Sequence, residues 1–192
     1  MTEQKTVHLS DYQPYTHVVE SVDLTFRLSP NATRVTARLE LRPNPERTGR
    51  NDLCFDGEGL TLVSCTVNGK PASPQTDARS LTLAARDIPD GPFTLETEVE
   101  IQPEANTALE GLYMSKGMYC TQCEAEGFRK ITYYPDRPDV MSRFKVRIES
   151  DLPVLLSNGN PTASGKGWAE WDDPWPKPAY LFALVAGDLR AH

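Results

Sequence analysis

Apolar and polar residues alternate along most of this chain in short runs, the signature of strands with one face in a core and the other in water. From Ser21, the residues Val22, Leu24, Phe26 and Leu28 fall on one side, and Asp23, Thr25 and Arg27 on the other. Ser29-Pro30-Asn31-Ala32 interrupts the pattern. Val35, Ala37, Leu39 and Leu41 then alternate with Thr36, Arg38 and Glu40, which predicts a hairpin. Pro43 to Arg50 has loop composition. Further strands are expected over 53–55, 60–67, 80–84 and 93–101, with Asn68-Gly69 closing the second as a two-residue hairpin turn. Lys70 to Ser80 reads as a loop. Glu96, Glu98 and Glu100 share one face of the strand over 93–101, so that face is expected to meet water. Gly111–Met114 and Met118–Thr121 are expected to pair through Ser115-Lys116-Gly117, and four more strands to follow over 143–149, 154–157, 167–171 and 180–186. Residues 1–16 read as an extended arm. The one helical candidate is 128–134, stopped by Pro135.

At least nine short strands, with sixteen prolines mostly between them, predict an all-β fold. The expected architecture is an antiparallel β-sandwich or a related saddle over residues 1–192 as one domain, with at most one short helix near 128–134. A chain of 192 residues buries roughly 70% of its unfolded surface, enough for a core without disulfides or metal.

Charge narrows the partners. Twenty basic against 27 acidic residues give a net charge of −7, which argues against nucleic acid, whose binding needs basic patches. The longest apolar run, Tyr180 to Ala186, is too short to span a bilayer, and no apolar leader core follows Met1. The chain therefore reads as cytoplasmic, without a membrane partner, and its four cysteines as thiols. It stops at Gly187-Asp188-Leu189-Arg190-Ala191-His192, directly after its most apolar strand, which suits a cut at a domain boundary in a larger protein.

Candidate chemistry concentrates in one stretch without hydrophobic periodicity, Tyr119-Cys120-Thr121-Gln122-Cys123-Glu124-Ala125-Glu126-Gly127-Phe128-Arg129. Cys120-x-x-Cys123 lacks the second ligand pair that a zinc site needs: Cys54 and Cys65 lie far upstream, and His8, His17 and His192 sit near the termini. These thiols read as structural, and no metal site is expected. No His-Glu-x-x-His, Gly-x-Ser-x-Gly or phosphate-cradling glycine loop occurs. Trp168, Trp171 and Trp175 could form an aromatic platform or simply pack in a hairpin and core. Asp136, between Pro135 and Arg137, reads as a turn residue with a local ion pair. Gln122, Glu124 and Glu126 remain. Carboxylates beside an amide suit an ammonium group, through charge-assisted hydrogen bonds of about 1.5–3 kcal/mol each. A general base would need a partner, and none is visible. The same residues also suit a plain surface turn, but as a site they fit binding better than catalysis.

Thr121-Gln122-Cys123-Glu124-Ala125-Glu126-Gly127-Phe128-Arg129, followed by Tyr133-Tyr134-Pro135-Asp136-Arg137-Pro138-Asp139-Val140, resembles the N-terminal domain of the bacterial aminopeptidase N family, gluzincin-type zinc exopeptidases. Asp23-Leu24-Thr25-Phe26, Ala105 to Tyr113, Leu155-Leu156-Ser157-Asn158-Gly159-Asn160, and Lys177-Pro178 with Tyr180 to Asp188 are similar to the same domain in order, so the resemblance covers effectively the whole chain. It implies a saddle-shaped β-domain closing one side of an active-site cleft. In that family the position matching Glu124 binds the free α-amino group of the substrate and the one matching Gln122 lines the first side-chain pocket. Ala125 and Glu126 then take supporting roles. The resemblance further implies a cis peptide bond between Glu124 and Ala125, a catalytic zinc domain elsewhere in the parent chain as partner, and no activity in this segment alone. The rival expectation, from a different class, is a freestanding β-sandwich binding module with no enzymatic parent.

Overall fold

A computed structural model describes residues 8–47, 49 and 51–189. The strands follow in chain order as β1 (His17–Arg27), β2 (Thr33–Pro43), β3 (Leu53–Asp56), β4 (Thr61–Val67) and β5 (Lys70–Pro71). Then come β6 (Gln75–Thr76), β7 (Ser80–Leu83), β8 (Phe93–Ile101), β9 (Gly111–Ser115) and β10 (Met118–Gln122). The last five are β11 (Met141–Glu149), β12 (Val154–Ser157), β13 (Asn160–Gly165), β14 (Trp168–Pro178) and β15 (Leu184–Gly187). They form an eight-stranded sheet in the order β13-β14-β11-β1-β2-β8-β4-β5, a four-stranded sheet β12-β15-β10-β9, and a three-stranded sheet β3-β7-β6. The all-β expectation holds.

The alternation in β1, β2 and β8 does what it predicts. Val22, Leu24, Phe26, Val35, Ala37, Leu39, Leu41, Leu95 and Val99 are buried to within 2%. They share one core with Leu53, Phe55, Leu81 and Leu83 of the three-stranded sheet and with Leu112, Tyr119, Leu184 and Ala186 of the four-stranded sheet. The two small sheets thus lie over one face of the large one. Its other face carries partly exposed ion pairs, Arg34 with Glu98 and Glu100, Arg38 with Asp23 and Glu40, and Arg147 with Glu149 and Glu170. On β8 Glu96 is exposed as expected, while Glu98 and Glu100 are partly covered by Arg34.

Several local expectations are corrected. The helix over 128–134 is a single 3-10 turn, Phe128–Lys130, because Tyr134 leaves it to exchange backbone hydrogen bonds with Asp56. The 70–80 loop contains β5 and β6. The strand expected over 180–186 begins only at Leu184, after a 3-10 turn at Ala179–Leu181. Residues 160–165, between expected turns at Asn158-Gly159 and Ser164-Gly165-Lys166-Gly167, form β13, and the strand starting near 167 runs on to Pro178. Its prolines are tolerated because β13 pairs only with 168–172, so at Pro174, Pro176 and Pro178 that edge of β14 has no neighbour to bond. One pairing departs from the antiparallel pattern: β1 and β11 run parallel from Ser21 opposite Arg143 to Arg27 opposite Glu149.

Candidate functional site

Gln122 ends β10, the second strand of a hairpin whose two-residue turn holds Lys116 at φ 50° and Gly117 at φ 81°. The register places Gln122 opposite Gly111, the first residue of β9. Beyond it, residues 123–127 fold into a tight loop closed by Gly127 N–H donating to Cys123 C=O at 2.9 Å. Two glycines make this possible. A Cβ on Gly127 would stand 2.3 Å from the Gln122 carbonyl oxygen and 3.0 Å from the Gly111 nitrogen, and one on Gly111 would meet the Lys130 side chain at 2.8 Å. The loop returns across the hairpin backbone to backbone, in contact closer than any side chain allows.

Within the loop Glu124, Ala125 and Glu126 are exposed, and the Glu124–Ala125 peptide bond is cis. Gln122 Nε2 donates to the Glu124 main-chain oxygen at 3.2 Å, bringing the two candidate residues together. Glu126 faces Arg129, 3.3 Å away. The Glu124 carboxylate has no hydrogen-bond or ion-pair partner among the described residues. Cys123 points inward, and burial together with the nearby Asp136 charge pushes its thiol up to about 12. It is a packed thiol, unsuited to metal ligation or nucleophilic attack at neutral pH.

The loop is seated by the segment that follows. Phe128 is fully buried, with its ring 5.2 Å from Tyr134, 5.9 Å from Phe144 and 5.3 Å from Phe182. Tyr134 Oη contacts Ser142 Oγ at 2.8 Å, and Ser142 Oγ donates to the Val19 carbonyl, tying the segment to β11 and β1. Asp136 was expected to make a turn and a local ion pair. The turn forms, with Val140 N–H donating to the Arg137 carbonyl, and the local ion pair is Arg137 with Asp139, but Asp136 itself is buried and its carboxylate takes two hydrogen bonds from Arg129. Burial raises the Asp136 pKa against the opposing pull of Arg129. A Pro-Asp-Arg-Pro string carries no sign of this seven-residue reach, and Arg129, Asp136, Gly111 and Gly127 were not singled out as site-building residues. The three tryptophans form no platform: Trp171 packs on the core, Arg147 stacks over Trp168 at 4.2 Å, and Trp175 is 77% exposed.

Among the described residues, no group of three or more His, Cys, Asp or Glu is placed to hold a metal ion. No helix among them is long and apolar enough to cross a membrane. His192 and the first seven residues of the expected arm lie outside the described residues.

A β-domain of this kind has known counterparts. The model of the Peptidase M1 N-terminal domain matches residues 15–181, and the chain belongs to that family. Aminopeptidase N of Caulobacter vibrioides is 55% identical over 96% of this chain, which covers 22% of that protein. The structure of Legionella pneumophila aminopeptidase A, solved in complex with aspartic acid, superposes with a TM-score of 0.84 at 38% identity, covering 95% of this chain and 22% of that one. An M1 zinc metallopeptidase from Deinococcus radiodurans shares the fold, with a TM-score of 0.75 at 18% identity over 90% of this chain and 42% of its own. The chain thus spans about a fifth of the length of the curated aminopeptidase it matches.

Proposed function

We propose that this chain is the substrate-anchoring N-terminal domain, over residues 1–192, of a zinc-dependent aminopeptidase that removes N-terminal residues from peptides. Glu124 receives the free α-ammonium group, Gln122 lines the pocket for the first side chain, and Ala125 and Glu126 support the loop. The observation that carries this reading is the difference between the two loop carboxylates. The Glu126 carboxylate is paired with Arg129, whereas that of the exposed Glu124 is unengaged among the described residues, on a loop closed by its own backbone bond. An ammonium group brings three donors to such a carboxylate, and a charge-assisted bond to it is worth about 1.5–3 kcal/mol. Holding the amine decides which peptide bond reaches the reacting centre, which is the logic of an exopeptidase.

The donor set among the described residues does not fit a catalytic zinc. Zinc belongs in the catalytic domain of the longer parent chain, this domain's partner alongside peptides with a free N-terminus. Alone, the 192-residue chain hydrolyses nothing, so its zinc content and its activity on aminoacyl substrates should stay at background. Unpaired cysteines suit a reducing cytoplasm, and the net negative charge suits neither nucleic acid nor an anionic membrane. The decisive test is Glu124→Ala in the complete enzyme. KM for aminoacyl substrates should rise about tenfold or more with the unfolding temperature unchanged, as loss of one charged bond requires. An unchanged KM overturns the proposal.

A further inference from the structure

The geometry points to Arg129 as the positioning residue of the amine-anchoring loop. This inference rests on the reading of Glu124 given above and extends it to a side chain that does not touch substrate. Arg129 lies in the 3-10 turn that leaves the loop, and its guanidinium looks both ways. On one side its main-chain N–H and its Nε each donate to Asp136 Oδ2 at 3.1 Å, and Nη2 donates to the Asp136 main-chain oxygen at 3.1 Å. On the other, Nη1 lies 3.3 Å from the Glu126 carboxylate.

Asp136 is a firm anchor. Its side chain is 2% exposed, and its N–H donates to Asp56 Oδ2 at 3.0 Å. Asp56 in turn ends β3 and is locked to Tyr134 by two backbone hydrogen bonds. A continuous line of polar contacts therefore runs from the three-stranded sheet through Asp56, Asp136 and Arg129 to the outermost supported carboxylate of the loop. The planar fork of a guanidinium can serve both ends at once, whereas a lysine ammonium is a single point charge. The Glu126 contact adds little stability, since the Glu126 side chain is 70% exposed and such pairs are weak. What it does is tether the loop from outside, while the Gly127 N–H tethers it from inside, two and three residues from Glu124. A carboxylate held in place before substrate arrives spares the cost of ordering it on binding.

The test is steady-state kinetics on the complete aminopeptidase carrying this domain. Arg129→Lys exposes the buried Asp136 to a poorer partner, so Glu126→Gln, which leaves that pair intact, carries the argument. Glu126→Gln should raise KM about three- to tenfold, with kcat and unfolding temperature unchanged, and Arg129→Lys should raise it further. In a Glu124→Ala background either substitution should add less than about twofold, because nothing is left to position. On the 192-residue chain, Glu126→Gln should speed hydrogen exchange at the Gly127 amide and leave the Tyr134 amide unchanged. If Glu124→Ala raises KM while the other two variants leave it alone, or if their effects simply add to that of Glu124→Ala, the positioning role is overturned and the amine-anchoring reading stands. If Glu124→Ala itself leaves KM unchanged, it is the amine-anchoring reading that fails.

Discussion

The eight-stranded sheet and the segment from Gln122 to Arg137 are neighbours held by different kinds of contact. In β8, in β2 as far as Leu41 and in β1 from Val22 on, every second side chain is buried, and each apolar residue meets others that would hold the register without it. Stability there is spread over many small, redundant terms. The segment has one aromatic plug, two glycine close approaches and a short line of charged hydrogen bonds through Asp136. Each of those contacts is unique. The sheet should therefore tolerate change by degrees, while the segment should lose its geometry at single positions.

Five measurements sharpen or break this contrast. Phe128→Ala removes the plug from a fully buried site touching three rings, and chemical denaturation should register a loss of about 3–5 kcal/mol. Gly127→Ala comes next. Its methyl would overlap the Gln122 carbonyl, costing about 1–3 kcal/mol in the same assay, and KM of the complete enzyme should rise by more than Phe128→Ala causes at equal stability. If both variants raise KM only in proportion to destabilisation, segment and sheet do not differ in kind. Thr33→Val tests the sheet's own polar weak point. Thr33 Oγ1 donates to the Ser29 carbonyl at 2.6 Å and accepts from the Ser29 N–H at 3.0 Å, and losing both should cost about 1–2 kcal/mol without touching KM. Arg42→Ala breaks an exposed pair with Glu20 and should cost at most about 0.5–1 kcal/mol, less still in high salt.

The smallest effect is a pH dependence from His17. Burial lowers its pKa below the ordinary 6.5, so the folded state binds fewer protons than the unfolded one across that interval. Stability should be full above pH 6.5, fall as the pH drops towards the lowered value, and level off beneath it. His17→Gln should flatten that part of the curve.

How much of this could be read in advance follows from the same contrast. Alternation marks a buried face whatever the partner strand, so β1, β2 and β8 were legible. So were the Asn68-Gly69 turn, whose positive φ values suit that pair, and the turn through Lys116-Gly117, where the glycine is the residue that favours one. Alternation does not say which strand lies alongside, and the parallel β1–β11 pair left no trace. β13 is exposed at all six positions and offers no periodicity to detect. In the site, the polar interruption at Gln122, Glu124 and Glu126 stood out, but their separate roles came from resemblance to a family and not from any pattern. Arg129 and Asp136 were hidden because the nearest opposite charges in sequence, Asp136 and Arg137, are not the ones that meet.

The parallel pair also bears on how the domain forms. β1 can meet β2 after a five-residue turn, but Ser21 finds Arg143 only when the chain between them has been threaded back to the same sheet. Contacts of such sequence separation slow folding, because the entropy of closing the loop is lost before the contact is gained. The loop bearing Glu124 lies inside that crossover, so its geometry should be completed among the last events on the route to the native state. Refolding followed by a probe at the loop should lag behind one placed in the β1–β2 hairpin.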